Sequence, residues 1–139
     1  VIEVSEDNMP SIIITSNREQ ELPTAFKGRC IYHYIHFPEA DIMRDIIHKH
    51  HPTIDDNVLN ASINIFYHLR QLGLERSPTT REILNWLKYI KQYTTKEAIK
   101  KIEKIEGLGS LIKTQKDLER VQKMVLNNPE DFKRRSMPN

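Results

Sequence analysis

The chain contains one cysteine, Cys30, among its 139 residues. That excludes an internal disulfide and any cysteine-held zinc site, and makes a reducing, cytoplasmic setting the natural expectation. Glycine is sparse as well. The four glycines are Gly28, Gly73, Gly107 and Gly109, and none belongs to a phosphate-cradling loop ending in Gly-Lys-Thr or Gly-Lys-Ser. No hydrophobic segment ends in an acidic pair able to hold magnesium. The longest aliphatic run is Ile12-Ile13-Ile14, far short of the roughly 20 apolar residues that span a bilayer. Neither charge sign dominates: 21 Lys and Arg against 19 Asp and Glu give a net charge of +2, without the basic stripe of a nucleic-acid binder. No signal peptide is visible, and the first residue is Val1 rather than Met, so the chain is expected to be a piece of a longer one.

What is present suits amphipathic helices. Hydrophobic residues make up 38% and charged residues 29%, with a mean hydropathy of −0.58. The N-terminal stretch reads differently from the rest. Pro10 introduces Ser11-Ile12-Ile13-Ile14-Thr15, a β-branched run without alternation, as in a strand buried on both faces. The polar turn Ser16-Asn17-Arg18-Glu19 follows, and Leu22 to Phe26 reads as one helical turn that tolerates Pro23 at its start. The run Ile31-Tyr32-His33-Tyr34-Ile35-His36-Phe37 reads as a second strand, ended by Pro38.

From Glu39 onward every pattern is helical. Ile42, Met43, Ile46 and Ile47 form one stripe, closed by His51-Pro52. Leu59, Ile63, Phe66 and Leu69 form another, with Gly73 as its C-terminal stop. Thr79-Thr80-Arg81-Glu82 is a capping box that opens a helix carrying Ile83, Leu84, Trp86, Leu87 and Ile90. Ile99, Ile102 and Ile105 mark a lysine-rich helix broken at Gly107-Leu108-Gly109. Leu118, Val121 and Val125 mark a last one, and residues 127–139 read as a basic, flexible tail. A pair of strands makes no stable sheet by itself. The fold class expected is therefore an α/β remnant followed by an α-helical bundle. The strands would be disordered, or paired with another chain, because an exposed apolar edge invites association.

On residues alone, several positions have competing readings. Asn17 stands at the carboxyl end of a buried strand, where open α/β sheets place ligand-contacting groups, yet asparagine is also a default turn former. Arg18 and Arg29 read most simply as surface arginines. Arg81 occupies a first helical turn, where a basic side chain costs about a few tenths of a kcal/mol.

The segment Ile12-Ile13-Ile14-Thr15-Ser16-Asn17-Arg18-Glu19 resembles the sensor 1 strand of an AAA+ ATPase. Glu21-Leu22-Pro23-Thr24-Ala25-Phe26-Lys27-Gly28-Arg29-Cys30 resembles the LP-x-A-hydrophobic-x-x-R segment of the MoxR-like branch, and Ile31 to Pro38 is similar to its last core strand. Thr80-Arg81-Glu82-Ile83-Leu84-Asn85-Trp86-Leu87 resembles the lid helix. Gly107-Leu108-Gly109-Ser110-Leu111-Ile112-Lys113-Thr114, with Asp117-Leu118, resembles a further lid segment. The motifs run in order over nearly the whole chain.

The resemblance implies that residues 1–38 are the end of a P-loop nucleotide-binding core and 39–126 a helical lid. It makes Asn17 the sensor 1 residue, holding the attacking water or touching the γ-phosphate. Arg29 becomes an arginine finger reaching a neighbouring subunit's nucleotide, Arg18 an interface residue, and Arg81 a sensor 2 residue contacting phosphate in cis. Where family members often carry two basic residues or an acidic–basic pair, this chain has Lys27-Gly28-Arg29. The resemblance implies that ATP and Mg2+ are bound by the full-length protein, assembled as a homo-oligomeric ring, expected to be hexameric, that remodels a protein partner. This piece alone would hydrolyse nothing. The competing expectation is a non-enzymatic helical interaction module with vestigial AAA+ features.

Weaker signals point elsewhere. His48, His50 and His51 are grouped near a helix end, where His48 and His51, with His33 or His36, could chelate a metal. However, no nearby carboxylates complete a site, and histidine at a helix C-terminus is favourable for dipole reasons. No metal site is expected. Lys88, Lys91, Lys96, Lys100, Lys101 and Lys104 could meet nucleic-acid phosphates, but Glu97, Glu103 and Glu106 interleave as on a solvated face. Neither nucleic acid nor membrane is an expected partner.

Overall fold

The computed structural model describes residues 11–16 and 22–127, and is mostly helical. The chain divides into a first unit, Val1–His36, and a second, Phe37–Asn139. The division falls beside Pro38, where the sequence places the end of its second strand.

Among the described residues of the first unit, the regular structure is one turn of helix, α1 (Thr24–Lys27). Pro23 precedes it at φ −54°, and its carbonyl accepts from the Phe26 and Lys27 N–H groups at 3.0 and 3.1 Å. The pyrrolidine supplies a preset φ where no helical donor is required. The expected strands do not form: residues 11–16 and 31–36 are neither helix nor strand. Ile13 is 89% exposed and Ile31 fully so. A β-branched run becomes a strand only when a neighbour takes its N–H and C=O groups, and these described segments have no ladder partner.

The second unit is built from α2 (Ala40–His50), α3 (Asp56–Gln71), α4 (Thr80–Ile90), α5 (Thr95–Glu103), a 3-10 turn at Leu108–Ser110 and α6 (Gln115–Asn127). Each start has a local cause. The Asp55 carboxylate accepts from the Asn57 and Val58 N–H groups and caps α3. Thr79 and Glu82 close the expected capping box on α4, with the Thr79 N–H donating to Glu82 Oε2 at 2.6 Å. Thr94 and Glu97 make a second one on α5. Such caps satisfy N–H groups that the helix itself cannot. Gly73, at φ 62°, follows the last turn of α3, a left-handed position that glycine takes without steric cost.

The core follows the apolar stripes. Met43 and Ile47 of α2 meet Leu59, Ile63 and Phe66 of α3, and Ile83, Trp86, Leu87 and Ile90 of α4 close over them. All are essentially buried, each worth on the order of 1.5–3 kcal/mol in area removed from water. Ile42, expected in the stripe, is instead exposed. The entry to the unit is pinned on α3: Tyr67 Oη donates to the Pro38 carbonyl at 2.6 Å, and the Arg70 guanidinium lies 3.4 Å over the Phe37 ring. Arg70 also donates to the Pro78 carbonyl, so one cation ties the start of the unit to the residue before the α4 cap.

The loop between α3 and α4 is held from the far side by Asp117. This carboxylate, 3% exposed, accepts from the Thr114 hydroxyl at 2.8 Å and from the Glu75 and Arg76 N–H groups at 3.2 and 3.3 Å. Burial pushes its pKa up, but these hydrogen bonds and nearby Arg120 outweigh that and hold it below the usual carboxylate value. A depressed folded pKa means that the stabilisation is complete above the unfolded pKa of about 3.9 and is lost as pH falls through the lower folded value. Asp117→Asn should therefore be less stable than the parent at neutral pH, with the difference closing below about pH 4. Circular-dichroism unfolding across pH reads this directly, and parallel curves at all pH values would contradict it.

Candidate functional site

The end of α2 and one face of α4 enclose a cleft of about 340 Å³, lined by His50, His51, Arg81, Leu84, Asn85 and Lys88. The α4 residues fall at i, i+3, i+4 and i+7, which a helical repeat places along one face. The capping box sets the start of that helix, and the burial of Ile83, Trp86, Leu87 and Ile90 leaves Arg81, Asn85 and Lys88 outward. His50 and His51 arrive because α2 stops there, with the His51 N–H returning to the Ile47 carbonyl at 2.7 Å.

The lining is cationic. Arg81 and Lys88 are exposed, and no carboxylate lines the cleft. Among the described residues, neither cation makes an ion pair. Glu82, next to Arg81, is turned away into the capping box and toward Arg76, 3.9 Å distant.

His51 is the buried member, 4% exposed. Its Nε2 lies 3.2 Å from the Leu84 carbonyl. A carbonyl only accepts, so Nε2 carries the proton, and in the neutral ring Nδ1 is a lone pair. That Nδ1 is buried without a hydrogen-bond partner. Burial lowers the His51 pKa, and Lys91, His50 and Lys88 push the same way, against the Leu84 bond. The ring is neutral at pH 7, a desolvated group among positive charges.

The residues singled out from sequence are distributed unevenly. Asn17 and Arg18 lie outside the described residues. Arg29 is exposed in the first unit, where its guanidinium donates to the Ala25 carbonyl at 3.0 Å. Of the four residues tied to the AAA+ resemblance, Arg81 stands in the cleft. Lys88, Asn85 and His51 were not read as partners of Arg81, although positions i+4 and i+7 from it were available. The histidines do not converge as a chelate: His48 Nε2 faces Asp56 at 3.6 Å, and His51 faces Leu84. Among the described residues, no group of three or more His, Cys, Asp or Glu could hold a metal ion. Within the lysine-rich α5, Lys101 is engaged by Glu106 at 2.5 Å and lies 4.3 Å from the Tyr93 ring centre. No described helix is long and apolar enough to cross a membrane.

No protein-family model, curated protein or solved structure matches the chain.

Proposed function

We propose that the chain is the C-terminal part of a MoxR-like AAA+ ATPase: the last strands of the nucleotide-binding core, residues 1–38, joined to a helical lid, residues 39–126. In this reading the segments 11–15 and 31–37 are strands of a sheet completed by the rest of the full-length protein. Their β-branched composition and exposed side chains support that. Asn17 orients the water that attacks the γ-phosphorus as ADP leaves. Arg29 reaches the nucleotide of a neighbouring subunit, with Arg18 at the same interface. Arg81 meets the phosphates of its own subunit. Ring assembly, ATP with Mg2+, and remodelling of a protein partner belong to the full-length molecule.

The observation that carries the reading is Arg81. It stands in the first turn of α4, in a cleft lined by further basic groups and by no carboxylate, an environment that favours phosphate. Phosphoryl transfer relies on positioning and charge neutralisation, and a fixed guanidinium supplies both. Arg81→Ala in the full-length protein should weaken ATP binding by about tenfold, the worth of one charge-assisted contact. Because Arg81 is exposed, the melting temperature should be unchanged. Fluorescent-nucleotide titration with a parallel melt measures both. Unaltered ATP affinity would remove the sensor 2 role, and absence of ATP binding in the parent protein would favour an interaction module.

A further inference from the structure

We propose that the α2–α4 cleft is a binding site for linked phosphate groups, in which Lys88 and Asn85 act together with Arg81. This deepens the reading above and rests on it for the nature of the full ligand, a nucleotide. The cleft chemistry can be tested without that reading.

Arg81 and Lys88 are seven residues apart on one helix, about 10 Å along its axis. Asn85 lies between them on the same cleft wall. A di- or triphosphate can meet the two cations with separate phosphate groups, which a single phosphate cannot. The two cations differ in geometry as well as position. Arginine presents a planar fork that suits two oxygens of one phosphate, while lysine is a compact charge at the end of a flexible stem. The Asn85 amide adds uncharged donors. A cleft of about 340 Å³, open to solvent, lies at the lower end of the range of small-ligand sites and has room for a polyphosphate.

The opposite wall supplies the second observation. His51 is buried with Nδ1 unsatisfied, and the charged side chains that bear on it are basic: Lys88 and Lys91 on the α4 side, with Arg81 on the same cleft. At the start of α3, the Asp55 carboxylate is taken up by the Asn57 and Val58 N–H groups and Asp56 faces His48. An anion in the cleft neutralises the cations that disfavour imidazolium, so binding is linked to proton uptake by His51. A lysine face that merely screens in solution has no such link to one buried ring.

The test uses the 139-residue chain, with sodium pyrophosphate as probe and sodium chloride at matched ionic strength as reference, followed by NMR. Pyrophosphate should produce saturable shifts centred on Arg81, Asn85 and Lys88, and should bind about tenfold more tightly than orthophosphate, as a second charged contact implies. Lys88→Ala should weaken pyrophosphate by about tenfold and leave the spectrum of the core intact, while Lys96→Ala on α5 should change nothing. The titration midpoint of the His51 ring should rise when pyrophosphate is present. Shifts identical to those of chloride, equal affinity for ortho- and pyrophosphate, or equal losses from Lys88→Ala and Lys96→Ala would overturn the site. Failure here with ATP still bound by the full-length protein would leave the AAA+ reading standing. Success here without ATP binding by that protein would leave the site and remove that reading.

Discussion

Gly107→Ala should destabilise the helical unit by about 2–4 kcal/mol, from left-handed strain together with overpacking. Gly107 sits at φ 76° immediately before the 3-10 turn. A Cβ there would lie 3.2–3.3 Å from Tyr89 Cδ1 and from Trp86 Cδ1 and Nε1. Trp86 is the largest fully buried side chain and cannot move aside, because its indole N–H is anchored on the Glu106 carbonyl at 2.7 Å. The turn is already strained at Ile105, a β-branched residue at φ 49°. That conformation costs about 1–2 kcal/mol, which the near-complete burial of its side chain offsets. Gly109 provides the control, since a Cβ there meets nothing within 4 Å and its φ is not positive. Urea unfolding followed by Trp86 fluorescence should show a large drop in midpoint for Gly107→Ala and less than about 0.5 kcal/mol for Gly109→Ala. Equal losses from the two would contradict the packing assigned to the turn.

The helical unit was largely legible in the sequence because its signals are local. The stripe Leu59, Ile63, Phe66 and Leu69 is buried as its spacing requires, and the Thr79–Glu82 box and the Gly73 stop fall where their chemistry places them. In α2 the buried positions are Met43 and Ile47, one turn apart, and Ile42 lies outside them. The strands at 11–15 and 31–37 were read from β-branched composition, which expresses a preference for a pleated surface without supplying one. Whether they pair depends on a sheet that these residues do not contain.

The cleft was half legible. Arg81 came from a motif and Lys88 from a charge run, and only the helical repeat joins them. His51 was weighed as a metal ligand when its partner is the Leu84 carbonyl on α4. That contact spans 33 residues and has no local signature.

Arg29 carries the second large effect. If the AAA+ proposal holds, Arg29→Ala in the full-length protein should reduce ATP turnover by about 10³-fold, the lower end of the range for an arginine finger, with ATP binding and melting temperature retained. The side chain is exposed, and its one described hydrogen bond is to the Ala25 carbonyl in its own helical turn. Its loss should therefore leave folding unaffected, so a fall in turnover could not be attributed to unfolding. On the same proposal, Asn17→Ala should also abolish turnover, acting within the subunit that holds the nucleotide.

A subunit-mixing assay tests the AAA+ reading most directly. Full-length Arg29→Ala and Asn17→Ala proteins, each nearly inactive alone, would be combined and assayed for ATP hydrolysis. In mixed rings, some interfaces join an intact Asn17 to an intact Arg29 on the neighbour, and turnover should reappear with the mixing ratio. Unchanged turnover in the Arg29→Ala protein, or no recovery on mixing, would contradict a trans-acting Arg29.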